Sequence, residues 1–393
     1  MAAARARLTA LLAPPDPVRS AQTIDDLRRV GRRKVPRAVF DYVDGGSEHE
    51  VGLAAARAAW RGVRFHPRAF AGVSEADPST SLLGRPASLP LVLAPVGHLR
   101  LVHGDAERGA AAAAARAGVP FTAATLGTTR LRDIAAGNPH CRMWFQLYGS
   151  RDRGLTKALV QEAADAGADA LVVTADSPVS GARLRDRRNR LSIPPARDRR
   201  TMLAMASRPR WGLRMLHDPP ACANLDPFAR KEDAYGADFA APLDAQGLDD
   251  VRSLWGGALV VKGIVRPDDA ERAVERGADA VVLSHHGGRQ LDRIAPPLLQ
   301  LPEVVRRIGG RAEVYVDSGI ADGADIVAAV AAGATGCLVG RAYAFGLMAG
   351  GERGVERALE ILRRDVVRTL CLLGAPTIAD LAPDLVTLPS GRG

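Results

Sequence analysis

Aromatic residues make up only 4% of this chain, and its four cysteines, Cys141, Cys222, Cys337 and Cys371, stand far apart. Thiols without paired spacing give neither a zinc site nor a disulfide framework; they read as structural thiols of a reducing compartment. No apolar run reaches the roughly 20 residues that cross a bilayer. Pro14 and Pro15 break the N-terminal apolar stretch too early for a secretory signal. No nucleic-acid motif is present. These absences predict a cytoplasmic protein with no metal site and no nucleic-acid partner.

What remains is the composition of an ordinary soluble globular protein: 393 residues, 47% hydrophobic and 25% charged, with a formal charge of +9. The arginines gather at 183–190 and 197–214. Net charge alone does not choose a partner.

From residue 90 onward, short apolar runs alternate with helical stretches. Strands are predicted at 91–94, 120–123, 143–146, 170–174, 258–262, 280–284, 314–316 and 336–339. Helices are expected between them, among others at 105–117, 155–166, 267–276 and 324–332. Near-continuous apolar strands in βα units argue for an α/β fold, a (β/α)₈ TIM barrel. A doubly wound sheet would follow its first strand with a glycine-rich dinucleotide loop. Here that strand leads into Pro95-Val96-Gly97-His98.

Residues 1–380 are expected to form one domain, with a barrel core at about 90–350 and a tail at 381–393. Helical patterns at 23–32, 38–43 and 48–60 predict an N-terminal helical cap, and one at 355–373 a closing helix. Residues 190–249 form a long insertion after barrel strand 4, rich in proline, with short helices at 202–205 and 211–216. An insertion of this length serves as a lid or a partner surface. Its arginines and scattered apolar residues allow weak, peripheral membrane contact at the inner face of the membrane.

Barrel enzymes keep their chemistry at the C-terminal ends of the strands. Around that face the sequence places Pro95, Gly97, Thr125, Gln146, Tyr148, Thr174, Asp176, Lys262, Ser284, His286, Arg289, Asp317, Gly319, Gly340 and Arg341. His286 is the expected general base, because imidazole titrates near neutrality. Arg289 suits a carboxylate held by two parallel hydrogen bonds. Asp176 is placed to hold the imidazole and stabilise its protonated form. Lys262 can balance negative charge developing on a ligand ring. Gly319 and Gly340 let main-chain amides approach an anion, and Arg341 adds a guanidinium there.

The stretch Ser284-His285-His286-Gly287-Gly288-Arg289-Gln290-Leu291-Asp292 resembles the SNHGGRQLD signature of the FMN-dependent 2-hydroxy-acid dehydrogenases and oxidases. Phe40-Asp41-Tyr42 with Gly45-Gly46, Trp144 to Tyr148, Thr174 to Pro178, Lys262-Gly263 and Asp317-Ser318-Gly319 support the likeness, which spans residues 20–376. The resemblance implies oxidation of an L-2-hydroxy acid such as lactate, glycolate or mandelate, with FMN in the barrel. It implies substrate carboxylate binding by Arg289 and Arg183, assisted by Tyr42, and a Tyr148 hydrogen bond near the substrate hydroxyl. Flavin contacts fall to Pro95, Gly97, Thr125, Gln146, Thr174, Lys262 and Ser284. Asp317, Gly319, Gly340 and Arg341 take the ribityl and phosphate end. A homotetramer is implied, with oxygen, a quinone or a protein as electron acceptor.

The chain departs from the family pattern in five places. His285 stands for Asn, Ser318 for Gly, Ala321 for a phosphate-binding Arg, Val96 for Thr, and Gly97 for the Ala frequent in oxidases. Two other readings remain open at this point. One is a phosphate-binding barrel isomerase or aldolase with Lys262 as Schiff-base lysine. The other is a catalytically silent FMN-binding protein.

Overall fold

Short apolar runs, buried on both faces, form eight parallel strands that close on themselves: β1 (Leu91–Leu93), β2 (Phe121–Ala124), β3 (Met143–Tyr148), β4 (Ala170–Thr174), β5 (Ala258–Ile264), β6 (Ala280–Leu283), β7 (Glu313–Val316) and β8 (Gly336–Val339). The computed structural model describes residues 16–196, 198–225 and 242–390. The start of the chain with Pro14 and Pro15, the part of the insertion at 226–241 with Pro227, and the last three residues of the expected tail lie outside the described residues. The barrel matches the expected architecture, with strand limits shifted by a residue or two.

Strand periodicity sorts the barrel into layers. Val92, Trp144, Val172, Val260, Val282, Tyr315 and Leu338 meet in the interior, with Trp144 and Tyr315 edge to face at 5.8 Å. The alternate residues, among them Leu93, Phe145, Leu171, Val261 and Val281, join the outer core under the helices. Two residues beyond the inner apolar layer, the same parity gives Gln146, Thr174, Lys262, Ser284 and Asp317. An apolar plug thus sits below a polar mouth. A hairpin of Thr80–Leu82 and Arg85–Ala87, which the sequence reading missed, closes the bottom with Leu82 and Ala87.

Three helices form the cap: α1 (Ile24–Lys34), α2 (Arg37–Asp44) and α3 (Val51–Gly62). Thr23 and Asp26 exchange side-chain and backbone hydrogen bonds at the start of α1, a capping box. The carboxylate of Asp292 accepts the amides of His49, Val51 and Gly52, so the motif's last residue ties α3 to the barrel mouth.

The insertion after β4 carries α4 (Leu184–Asn189), α5 (Arg199–Ser207) and α6 (Pro209–His217). Its expected end at 249 falls inside Ala245–Leu254, which is a regular barrel helix before β5. The chain continues past β8 through α7 (Arg341–Gly350) and the closing α8 (Glu352–Leu373). Val386–Thr387 then pairs with Arg64–Phe65. The segment expected to trail from 381 is therefore joined to the fold through Thr387, because its backbone finds a strand partner. No helix among the described residues is long and apolar enough to cross a membrane.

Candidate active site

The β6 run ends in Ser284, and the chain turns sharply: His286, Gly287 and Gly288 all have positive φ. The turn lifts His286 over the barrel mouth. Its Nδ1 lies 3.1 Å from Asp176 Oδ1, which arrives from the end of β4. Burial opposes ionisation of Asp176, but His286, Lys262 and the Ser177 hydroxyl outweigh it and hold its pKa at about 2. An anion fixed at Nδ1 sets the tautomer and leaves Nε2 without a partner among the described residues, on a side chain that lines the cavity.

Two guanidinium groups flank one ring. Arg289 lies 5.1 Å and Arg183 5.6 Å from the Tyr42 centroid. Arg289 Nη1 donates to the carbonyls of Tyr42 (2.6 Å) and Gly45 (3.1 Å), locking the cap onto the motif loop. Burial, then Arg183, lowers the Arg289 pKa. A carboxylate between the two cations relieves that repulsion. Tyr148 lines the same space; burial and the nearby Asp176 charge raise its pKa, so it stays a hydroxyl donor.

Lys262 is buried, its Nζ 3.0 Å from Ser284 Oγ and 3.2 Å from Asp317 Oδ2. Gln146 Nε2 donates to Thr174 Oγ1 at 3.0 Å, and Gln146 Oε1 accepts the amide of Thr125. Tyr42, Pro95, Gly97, Gln146, Tyr148, Thr174, Arg183, Lys262, His286, Arg289, Asp317, Gly319, Gly340 and Arg341 line one cavity of about 1040 Å³. Thr125 and Ser284, expected at the cofactor, are fully buried just behind the lining, bonded to Gln146, Lys262 and the His286 amide. Arg341 donates to the carbonyls of Val43, Gly287 and Gly45, so much of its guanidinium is committed to holding loops together.

The departures at 318 and 285 have local explanations. Ser318 takes a φ of +74°, and its hydroxyl donates to Asp317 while accepting the amides of His285 and Gly287. His285 Nδ1 accepts the Gly288 amide at 2.7 Å, a bond that stabilises the turn. The sequence reading missed several lining residues: His98, Arg57, Leu126 and Leu191 with Ile193 of the insertion. Only His98, directly after the Pro95-Val96-Gly97 stretch, carried a positional signal.

Residues 31–388 match the family model described as FMN-dependent dehydrogenase. A putative L-lactate dehydrogenase of Mycobacterium tuberculosis (strain ATCC 25618 / H37Rv) is 48% identical over 370 residues, covering 94% of this chain and 89% of the relative. An (S)-mandelate dehydrogenase of Pseudomonas putida is 36% identical, covering 92% of each. Among solved structures, the monotopic membrane protein (S)-mandelate dehydrogenase superposes with a TM-score of 0.87 at 34% identity, over 94% of this chain and 100% of that one. A mandelate oxidase superposes at 0.82 and 36% identity, over 94% and 99%. With the family model and these relatives spanning nearly its whole length, the chain belongs to the FMN-dependent dehydrogenases.

Proposed function

We propose that this protein oxidises an L-2-hydroxy acid, R–CH(OH)–COO⁻, to the 2-oxo acid R–CO–COO⁻. The observation that carries the reading is His286, paired with Asp176 at 3.1 Å, lining one cavity with Arg183 and Arg289, whose guanidinium groups lie 5.6 and 5.1 Å from the Tyr42 ring. FMN fits the lining. The volume is at the upper end for small-molecule sites, and a Cβ on Gly340 would meet nothing nearer than Val96 at 3.6 Å, so backbone there is open to close approach. Gln146, Thr174 and Lys262 would hold the ring, with Asp317, Gly319 and Gly340 toward the phosphate. When bound, FMN supplies the two-electron acceptor that side chains lack.

Arg289 and Arg183 bind the substrate carboxylate, and Tyr148 donates toward the hydroxyl. His286 Nε2 takes a proton released on oxidation, and Asp176 stabilises the imidazolium. The Lys262 ammonium offsets negative charge beside it. Its contacts with Ser284 and Asp317 fix Nζ in the barrel mouth. Anaerobic mixing with L-lactate, glycolate, L-mandelate and longer acids tests the proposal. Bleaching of the oxidised flavin band identifies the substrate, and readmitting oxygen or a quinone identifies the acceptor. A flavin that none of these acids bleaches would defeat it.

A second observation favours contact with a membrane surface. On α5 and α6, Met202, Leu203, Leu213 and Leu216 are exposed among Arg199, Arg200, Arg208 and Arg210, with Leu203 72% accessible. Apolar side chains ringed by arginines suit an anionic interface. Co-sedimentation with anionic vesicles tests this; protein that stays in the supernatant at low salt would refute it.

A further inference from the structure

Helix α3 crosses the open end of β7. A Cβ on Gly319 would lie 2.9 Å from the Trp60 ring and 3.0 Å from the Ala56 carbonyl carbon, so only glycine allows the helix this close. Trp60 Nε1 donates to Ser318 O at 2.8 Å and fixes the helix over the loop. Leu53, Arg57, Trp60 and Arg61 follow at helical spacing, and all four line the cavity.

Arg57 is half-buried, and among the described residues its guanidinium makes no hydrogen bond or ion pair. The acids at this end are engaged elsewhere. Asp325 Oδ2 accepts the amides of Ala321 and Asp322, and Asp322 accepts the amide of Asp325. The Arg57 charge acts repulsively on the Arg341 guanidinium. Gly340 and Arg341 begin α7, whose first-turn amides have no acceptor within the helix. Two like charges and a helix N-terminus thus bear on one part of the cavity. That arrangement is favourable with an anion in place and unfavourable without one. The loop position that would aim a barrel side chain there, Ala321, offers only a methyl group.

We propose that Arg57 of the cap helix binds the terminal phosphate of FMN, supplying the guanidinium that position 321 of the barrel lacks. The inference rests on FMN being the cofactor. It makes the cap part of the cofactor site, so that cofactor retention and docking of α3 support each other.

The test compares two flavins that differ only in the phosphate. FMN release from the holoenzyme is read as recovery of free-flavin fluorescence on dilution, and the same protein refilled with riboflavin reports ring and ribityl contacts alone. Arg57→Gln is expected to weaken FMN by about ten- to hundredfold, the range for a lost charge-assisted hydrogen bond, and to leave riboflavin unchanged. Arg57→Lys should recover part of the loss, and Ala321→Arg in the Arg57→Gln chain should recover more. Unchanged FMN release would overturn the assignment, as would an equal loss for both flavins, which marks a packing role. A wild-type protein that retains neither flavin would instead overturn the cofactor reading. Thermal melting keeps the comparison valid: if Arg57→Gln melts early, Arg57→Lys with and without Ala321→Arg carries the same two-flavin comparison.

Discussion

Gly263 and Asp176 touch so closely that a methyl group on Gly263 would lie 2.6 Å from the Asp176 carboxyl carbon. Gly263 also has a φ of +103°, and the β5–β6 register shifts between Lys262 and Ile264. This irregularity brings the ends of β4 and β5 together, so the carboxylate can reach His286. Gly263→Ala must push Asp176 aside. Turnover is expected to fall about a hundredfold, the cost of misplacing a catalytic group by an ångström. Steady-state kinetics on a saturating 2-hydroxy acid checks it; wild-type turnover would show that Asp176 tolerates the shift.

His286 sits at a φ of +58°, a region asparagine adopts more readily than most residues. His286→Asn therefore keeps the turn while removing the base. Flavin reduction is expected to slow by about 10²- to 10⁴-fold, the usual worth of a positioned base. The visible spectrum of the bound flavin should persist. Stopped-flow reduction at the wild-type rate would remove His286 from the chemistry.

The barrel was legible because strands buried on both faces must be apolar throughout, as in Leu171 to Val173 and Val281 to Leu283. The polar mouth was legible because residues two beyond the inner layer keep its direction. Other parts left no such trace. Helix α4 has no buried residue, so no apolar stripe announced it. The hairpin under the barrel and the pairing of Arg64–Phe65 with Val386–Thr387 are too short to show a period, and their partners are fixed only by tertiary contact. Arg57 belongs to no motif, and only the crossing of α3 over Gly319 puts it at the cavity. Thr125 and Ser284 were placed at strand ends, but their full burial there, bonded to Gln146 and Lys262, depends on neighbours that periodicity does not specify.

Arg289→Lys separates binding from chemistry. Lysine presents a point charge without the planar fork, and the bonds from Arg289 to the Tyr42 and Gly45 carbonyls are lost or weakened. KM for the hydroxy acid is expected to rise about tenfold or more, since hydrogen bonds to charged groups are worth about 1.5–3 kcal/mol. FMN release should not change. An unchanged KM would assign the carboxylate to Arg183 alone.

His98 gives a prediction about stability. Among the described residues its buried Nδ1 has no hydrogen-bond partner, and the ring lies 6.2 Å from that of Tyr42. Burial, then Arg183 and Arg289, lowers its pKa from the ordinary 6.5 to about 4. The unfolded chain therefore takes up a proton as pH falls through 6.5, while the folded protein takes it up only near 4. The neutral folded form is not penalised above 6.5, and stability is lost progressively between those two values as pH falls. From pH 7 to pH 5 the loss from this one group is about 2 kcal/mol. His98→Asn, which suits the left-handed backbone at φ +59° and does not titrate, should lose that much less over the same interval. Urea midpoints for both proteins at the two pH values measure the difference. Parallel curves would mean that the imidazole is protonated in the folded state as readily as in the unfolded one, and that an acid or water reaches Nδ1.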